Sequence, residues 1–181
     1  MNNKGEKTSW FVIYTRFKAE KKLCKQLDDD GYTCFLPLYT TTRRWSDRIK
    51  NISTPLLPGM LFVKTTVSEA HRLPKHPLAR FVLREHGKPA VVHDYEIKNL
   101  DIIAREFDGC NVRVSQATHY KPGDYVRVKR GNFKGLEGHL TEIKGRYRLL
   151  VQLSKANVAF SINLPASQVE KIAPKKALQV S

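Results

Sequence analysis

The sequence lacks the marks of a secreted or membrane-bound protein. No run of 18 apolar residues occurs, so no segment is expected to cross a membrane as a helix. The stretch from Met1 to Ser9 is polar and has no apolar core, unlike a secretory signal, and the expected location is the cytoplasm. Cysteine is scarce: Cys24, Cys34 and Cys110 are odd in number and widely spaced. That argues against a disulfide framework and a zinc site, and the three read as buried free thiols. Catalytic motifs are missing too. There is no His-Glu-x-x-His, no phosphate-cradling Gly-Lys-Ser/Thr loop and no Gly-x-Ser-x-Gly. Of the six histidines, His71 and His76 lie closest together, but Pro74 interrupts them, so one helical face cannot present both. The expectation is a protein without catalysis, cofactor or metal. Acidic residues are also few, 17 against 32 Lys and Arg, for a net charge of +15. Such an imbalance favours a polyanionic partner.

What is present is enough apolar sequence, 41%, to build a core. The organising stretch is Pro55-Leu56-Leu57-Pro58-Gly59, a stiff turn, followed by Met60-Leu61-Phe62-Val63. A short apolar run after such a turn predicts a strand buried on both faces. Trp10 to Arg16, aromatic and β-branched, predicts another strand. A helix is expected over Lys18 to Asp30, where Ala19, Leu23 and Leu27 form one stripe and Gly31 provides the stop. Asp28 to Asp30 sit unfavourably at its negative end. Tyr32 to Thr40 reads as a strand bent at Pro37, and Arg43 to Lys50 as a hairpin-like excursion. Ser68 to Leu73 reads as a short helix, Arg80 to Arg84 as a strand, and Gly87-Lys88-Pro89 as a turn. Asp94 is placed as the N-cap of a helix carrying Ile97, Leu100, Ile103, Ala104 and Phe107. These elements describe an α+β domain with helices on a small, mostly antiparallel sheet.

The character then changes. Residues 113–119 read as a linker, and five short β segments with Gly-rich turns follow between Tyr120 and Ile172. Leu149 to Leu153 fits strand or helix by periodicity, and the turns around it favour a strand. The resulting organisation is a loose 1–8, an α+β domain 9–112, a linker 113–119, a small β-barrel 120–173 and a tail 174–181. Residues 1–112 carry 19 basic and 13 acidic side chains, residues 113–181 carry 13 and 4, so the smaller part is the more basic. Two basic clusters stand out. Arg43, Arg44, Arg48 and Lys50 surround Trp45, which reads either as a base-stacking or as a local packing residue. Arg16, Lys18, Lys21 and Lys22 open the first helix, where backbone amides also favour phosphate.

Val126 to Gly138 has the form of a KOW motif: a strand, a turn at Gly131, Phe133 packing back, and a return through Gly135 and Gly138. Together with Trp10-Phe11-Val12, Pro55 to Val63 and Ser167-Gln168-Val169-Glu170, in that order, it makes the chain resemble the NusG family, an NGN domain joined to a KOW barrel. Leu57 and Met60 depart from the aromatic residues usual there but stay apolar. The segment Arg43 to Lys50 resembles the specialised RfaH and UpxY paralogues that act on surface-polysaccharide operons in bacteria.

The resemblance implies a monomeric bacterial factor that rides on RNA polymerase and suppresses pausing or termination. It implies docking on the clamp of the largest subunit through Tyr14, Leu56, Leu57, Pro58, Met60 and Phe62, with the mouth of the strand as the presenting edge. It implies contact with non-template DNA through Arg16, Lys18 and Lys22, and through Arg72, Lys75 and His76. It also implies that the barrel recruits Rho or a small-subunit ribosomal protein, with Phe133 at the contact. Two other readings compete: a KOW-type RNA-binding or ribosome-associated protein, and a nucleic-acid enzyme. The first half-chain matches speak against the former, and the missing acid and metal sets against the latter.

Overall fold

The run Ser-Trp-Phe-Val-Ile-Tyr-Thr forms strand β1 (Ser9–Thr15), and its Phe11, Val12 and Ile13 are fully buried. Three consecutive buried residues in a strand need cover on both faces. The computed structural model describes residues 6–44, 48–107, 112–116, 123–143 and 146–173. The chain divides into two compact units, residues 1–97 and 98–181.

In the first unit, α1 (Glu20–Asp29) follows β1, and Ala19, Leu23 and Leu27 are buried as their spacing predicts. Strands β2 (Thr33–Phe35) and β3 (Leu38–Arg44) replace the single strand expected over Tyr32 to Thr40. The break falls at Leu36-Pro37, where the Pro37 carbonyl accepts the Leu56 N–H at 2.8 Å. β3 pairs with β4 (Ile49–Pro55) as a two-stranded ribbon separate from the main sheet. Then come β5 (Met60–Thr65), α2 (Val67–Ala70), a 3-10 turn at Leu73–Lys75 and β6 (Ala79–Val82). The short β7 (Arg84–Glu85) and β8 (Lys88–Pro89) flank His86 and Gly87, both at positive φ, so the turn lies one residue earlier than expected. β9 (Val91–Val92) precedes α3 (Asp94–Arg105), which begins in the first unit and continues into the second from Lys98.

The main sheet runs β2-β5-β1-β6, with β9 also on β1, and the β1 pairings are antiparallel. β5 is interior, and Leu61, Phe62 and Val63 are fully buried, as the apolar run predicts. One face joins Phe11, Ile13, Leu61 and Val63 to Leu23 and Leu27 of α1. On the other, Phe35 packs against Trp10 and Phe62 at ring separations of 6.4 and 6.0 Å.

Helix α1 ends as its Gly31 predicts. Gly31 sits at φ 86°, its N–H reaches the Asp28 carbonyl, and the Tyr32 N–H reaches the Leu27 carbonyl. These are the two bonds of a Schellman cap. Nothing lies within 4 Å of a Cβ added at Gly31, so the cost of a side chain there is conformational alone. Gly31→Ala should destabilise the first unit by about 1 kcal/mol. Thermal melting should show a fall of about 4–8 °C. Asp94 is not the N-cap but the first helical residue of α3; the Glu96 carboxylate instead accepts the His93 N–H at 2.9 Å. Asp94 ties the helix to the sheet, accepting from Trp10 Nε1 at 2.8 Å and Lys64 Nζ at 3.4 Å.

The second unit is an antiparallel sheet of β10 (Val112–Gln116), β11 (Tyr125–Val128), β12 (Glu137–Ile143), β13 (Arg146–Leu153), β14 (Val158–Asn163) and β15 (Val169–Lys171). Its order is β10-β14-β13-β12-β11-β15. Leu149 to Leu153 is strand, and the fold class is α+β followed by a small all-β unit. Residues 113–116, expected as linker, belong to edge strand β10, which pairs with β14 from Val112↔Ile162 to Gln116↔Val158. Residues 117–119 of the expected linker lie outside the described residues. Within this unit the Asn99 side chain acts as a strand partner: Nδ2 donates to the Glu137 carbonyl at 3.0 Å and Oδ1 accepts its N–H at 3.3 Å.

Candidate nucleoprotein interface

The C-terminal end of β1 gathers three segments that lie far apart in sequence. The Thr15 N–H donates to the Gly59 carbonyl at 2.8 Å, and the Arg16 N–H to the Leu78 carbonyl at 2.9 Å. The turn before β5 and the turn before β6 therefore meet beside the link between β1 and α1. Buried Glu20 holds the first of these turns, its Oε1 accepting the Gly59 N–H at 2.7 Å. Gly59 itself sits at φ 79°, which requires glycine.

This pinning decides which residues the turn presents. Pro58 is exposed, and Met60 and Tyr14 are half-buried. Leu56 and Leu57 are buried, at 5% and 4% exposure, which corrects the expectation that the whole stretch to Met60 is a presenting edge. The reason lies in the backbone: Leu56 N–H bonds back to Pro37, and the Leu57 carbonyl accepts the Met60 N–H, folding both leucines inward. Phe62, included in the same expected patch, is fully buried. A charge at Leu57 would consequently perturb the core rather than report on a surface.

A residue that sequence reasoning missed completes the apolar surface. Tyr14 is registered opposite Met60 on β5 and opposite Phe81 on β6. Side chains directly across neighbouring strands share a face. Tyr14 and Phe81 stack at 4.5 Å with an interplanar angle of 20°, and Phe81 remains 42% exposed. Arg80 lies over the Phe81 ring at 6.0 Å. Met60, Tyr14 and Phe81 thus form a stripe across three strands. Burial raises the Tyr14 pKa, so its phenol stays neutral and able to donate a hydrogen bond at physiological pH. The signal for Phe81 was alternation: Val82 faces the core, so Phe81 must face the other way.

Beside the stripe lies a cationic edge. Arg16, Lys18 and Lys22 are exposed, as are Arg72 and Lys75 on the neighbouring turn. The Arg16–Leu78 backbone bond joins the two groups. His76 is half-buried and locally engaged, its Nδ1 accepting the Leu78 N–H at 3.1 Å. Phe17, also missed, is 88% exposed among these cations, with Lys18 Nζ 5.0 Å from its ring centre. Lys18 takes a left-handed φ of 53°. Helix α1 begins here with no side-chain cap, leaving backbone N–H groups to other acceptors.

The β3–β4 ribbon carries the remaining basic positions. Its register sets Arg43 opposite Lys50 and Arg44 opposite Ile49. Arg48 and Lys50 are exposed; Trp45 and the rest of the tip, residues 45–47, lie outside the described residues. Lys21 fastens the ribbon to α1, its Nζ donating to the Ser53 carbonyl at 2.6 Å. In the second unit, Phe133 is 7% exposed, which corrects its expected role as a partner contact. Its carbonyl accepts the Leu136 N–H beside the turn that Gly131 and Gly135 bracket at positive φ, and its side chain is buried. The exposed residues of the turn are Lys129, Arg130, Asn132 and Lys134.

A family model described as transcription termination factor NusG matches residues 8–101. Among solved structures the chain is similar to one from Thermotoga maritima concerned with domain interaction in NusG, at 23% identity over 92% of this chain and 98% of that one, with a TM-score of 0.49. It is also similar to the MjSpt4:Spt5 complex. Conformation A matches at 17% identity over 91% of this chain and 98% of that one, with a TM-score of 0.30. Conformation B matches at 18% identity over 91% and 97%, with a TM-score of 0.32. No helix among the described residues is long and apolar enough to cross a membrane.

Proposed function

The chain belongs to the NusG family of transcription factors, and from that premise we propose that it is a specialised elongation and antitermination factor working by binding alone. It docks on the clamp of RNA polymerase through the Met60–Tyr14–Phe81 stripe and exposed Pro58. It faces non-template DNA with the adjoining cationic edge and the β3–β4 ribbon. Leu56 and Leu57 support the docking surface from beneath. The observation that carries this reading is the adjacency of the partly exposed Met60–Tyr14–Phe81 stripe to a row of cations at one end of β1. A surface of that composition suits a partner offering apolar protein and phosphate side by side. The basic ribbon supports assignment to the specialised paralogues and their surface-polysaccharide operons. The second unit is the proposed KOW module, and its basic turn, not Phe133, is the surface offered to Rho or a ribosomal protein. What favours this over a ribosome-associated RNA binder is that the family match covers nearly all of the first unit and only the first four residues of the second.

Phe81→Asp should weaken capture of core RNA polymerase roughly thirtyfold, the scale of losing one interface hot spot. Phe81 is exposed, so the variant should keep its circular dichroism spectrum and melting temperature. A folded variant that captures polymerase as well as the parent would place the docking surface elsewhere.

A further inference from the structure

Outside the interface, one cluster of side chains has the makings of a site. Cys24 and Asp28 lie one turn apart on α1, and Cys34 lies on β2. The two Sγ atoms and a carboxylate oxygen all lie within 4.8 Å of one another, with Cys24 Sγ 3.7 Å from Asp28 Oδ2. A tetrahedral Zn²⁺, with bonds near 2.3 Å to sulfur and 2.1 Å to oxygen, would hold such a pair about 3.6 Å apart. The wide spacing of the cysteines reads against a zinc site, because the donors converge only once a helix and a strand are in place.

We propose that Cys24, Asp28 and Cys34 form a binding site for a thiophilic divalent cation of the Zn²⁺ class, with one coordination position left open. Two thiolates select a soft or borderline metal over Mg²⁺ or Ca²⁺. Both supporting elements are fixed before a metal arrives. The Schellman cap locks the end of α1, and Cys34 is held in register opposite Val63 of β5. Both cysteines are only half-buried, and Asp28 is exposed, so the site is open to solution. The acidic run gains a reason as well. Asp28 and Asp29 occupy the last turn of α1 with Asp30 as its C-cap and no basic residue in that turn, where the helix dipole is already negative. A bound cation would offset that charge. A metal bound there would staple the end of α1 to the edge strand β2.

The test is titration of the reduced full chain with Co²⁺ under argon, followed by Zn²⁺. One Co²⁺ per chain should give thiolate-to-cobalt charge-transfer bands that Zn²⁺ removes. C24S and C34S should each lose those bands, whereas C110S should keep them. D28N, at an exposed position, should bind Co²⁺ at least about tenfold more weakly, since losing a direct ligand costs no less than losing an outer-shell partner. Zn²⁺ should raise the melting temperature of the parent and not of C34S, which separates lost binding from lost folding. Absence of the bands in the reduced parent, or their survival in C24S or C34S, would overturn the proposal. A reduced chain that takes up no metal but forms a Cys24–Cys34 disulfide on mild oxidation would overturn it too, and would make the pair a redox couple.

Discussion

Gly138→Ala should unfold the six-stranded sheet while leaving the first unit folded. Gly138 lies on β12, registered opposite Val126 of β11. A Cβ built there collides with the Leu150 carbonyl oxygen and comes within 3.0 Å of that carbonyl carbon and 3.2 Å of Leu149 Cδ1. The first obstacle is backbone. It belongs to β13, whose pairing with β12 runs from His139↔Leu150 to Ile143↔Arg146. A flexible side chain could swing aside, but a ladder carbonyl moves only if the strand moves. β13 is also bound to β14 on its other edge, so a shift there disturbs three strands. Leu149 and Leu150 are themselves almost completely buried, so displacement opens the core as well. The expected loss exceeds about 3 kcal/mol, the upper range for overpacking a close-packed interior. Denaturant unfolding followed by circular dichroism should show a weakened transition for residues 98–181. The transition of residues 1–97 should hardly move. Gly31→Ala supplies the contrast: a strained φ with open space around it should cost far less.

Much of this architecture could be read directly from the chain. β1 and β5 announce themselves as unbroken aromatic and aliphatic runs, and burial on both faces follows from that continuity. The α1 stripe and its Gly31 stop are equally local signals. Where reading failed, the deciding partner lay elsewhere in sequence. Val112 to Gln116 contains Arg113, Ser115 and Gln116, too polar to read as a strand alone, and becomes one because β14 offers it an edge. Leu56 and Leu57 look like a presented apolar pair until Pro37 and the Met60 N–H turn them inward. Phe133 packs back as its motif loop reads, and only the contact role implied by the resemblance fails, because the side chain is buried. Asp94 has every mark of an N-cap, but Trp10 and Lys64 claim its carboxylate. At the interface, the basic cluster that opens the first helix was legible on its own, whereas Arg72 and Lys75 entered only through the family resemblance. The meeting of the two groups was not legible, because it depends on one backbone bond between Arg16 and Leu78. Phe17 and Phe81 were overlooked because an apolar residue in a linking segment or a short strand is assigned to the core by default. Only their exposure separates them from it.

Removing three cations from the edge should change the salt dependence of DNA binding, not just its strength. The probe is a duplex with an unpaired bubble in its non-template strand, bound to the full chain over a range of salt. Each phosphate neutralised contributes about 0.9 to the log–log slope on duplex and about 0.7 on single strands. Combined Arg16→Ala, Arg72→Ala and Lys75→Ala should therefore flatten the slope by about 2–3. At physiological salt the same variant should bind roughly a hundredfold more weakly. All three side chains are exposed, so folding should be unaffected. Phe17→Ala separates the aromatic contribution. A ring 88% exposed among cations can stack on an unpaired base, worth about 1–3 kcal/mol. Stacking releases no counterions, so its loss should lower affinity at every salt concentration and leave the slope alone. It should also matter less on a fully paired duplex, where no base is free to stack. A triple variant with an unchanged slope would remove the cationic edge from the DNA contact and leave the β3–β4 ribbon as the surface to test. A slope that falls in the triple variant, with Phe17→Ala losing affinity at unchanged slope, requires both chemistries at one end of β1, phosphate on the cations and a base on the ring.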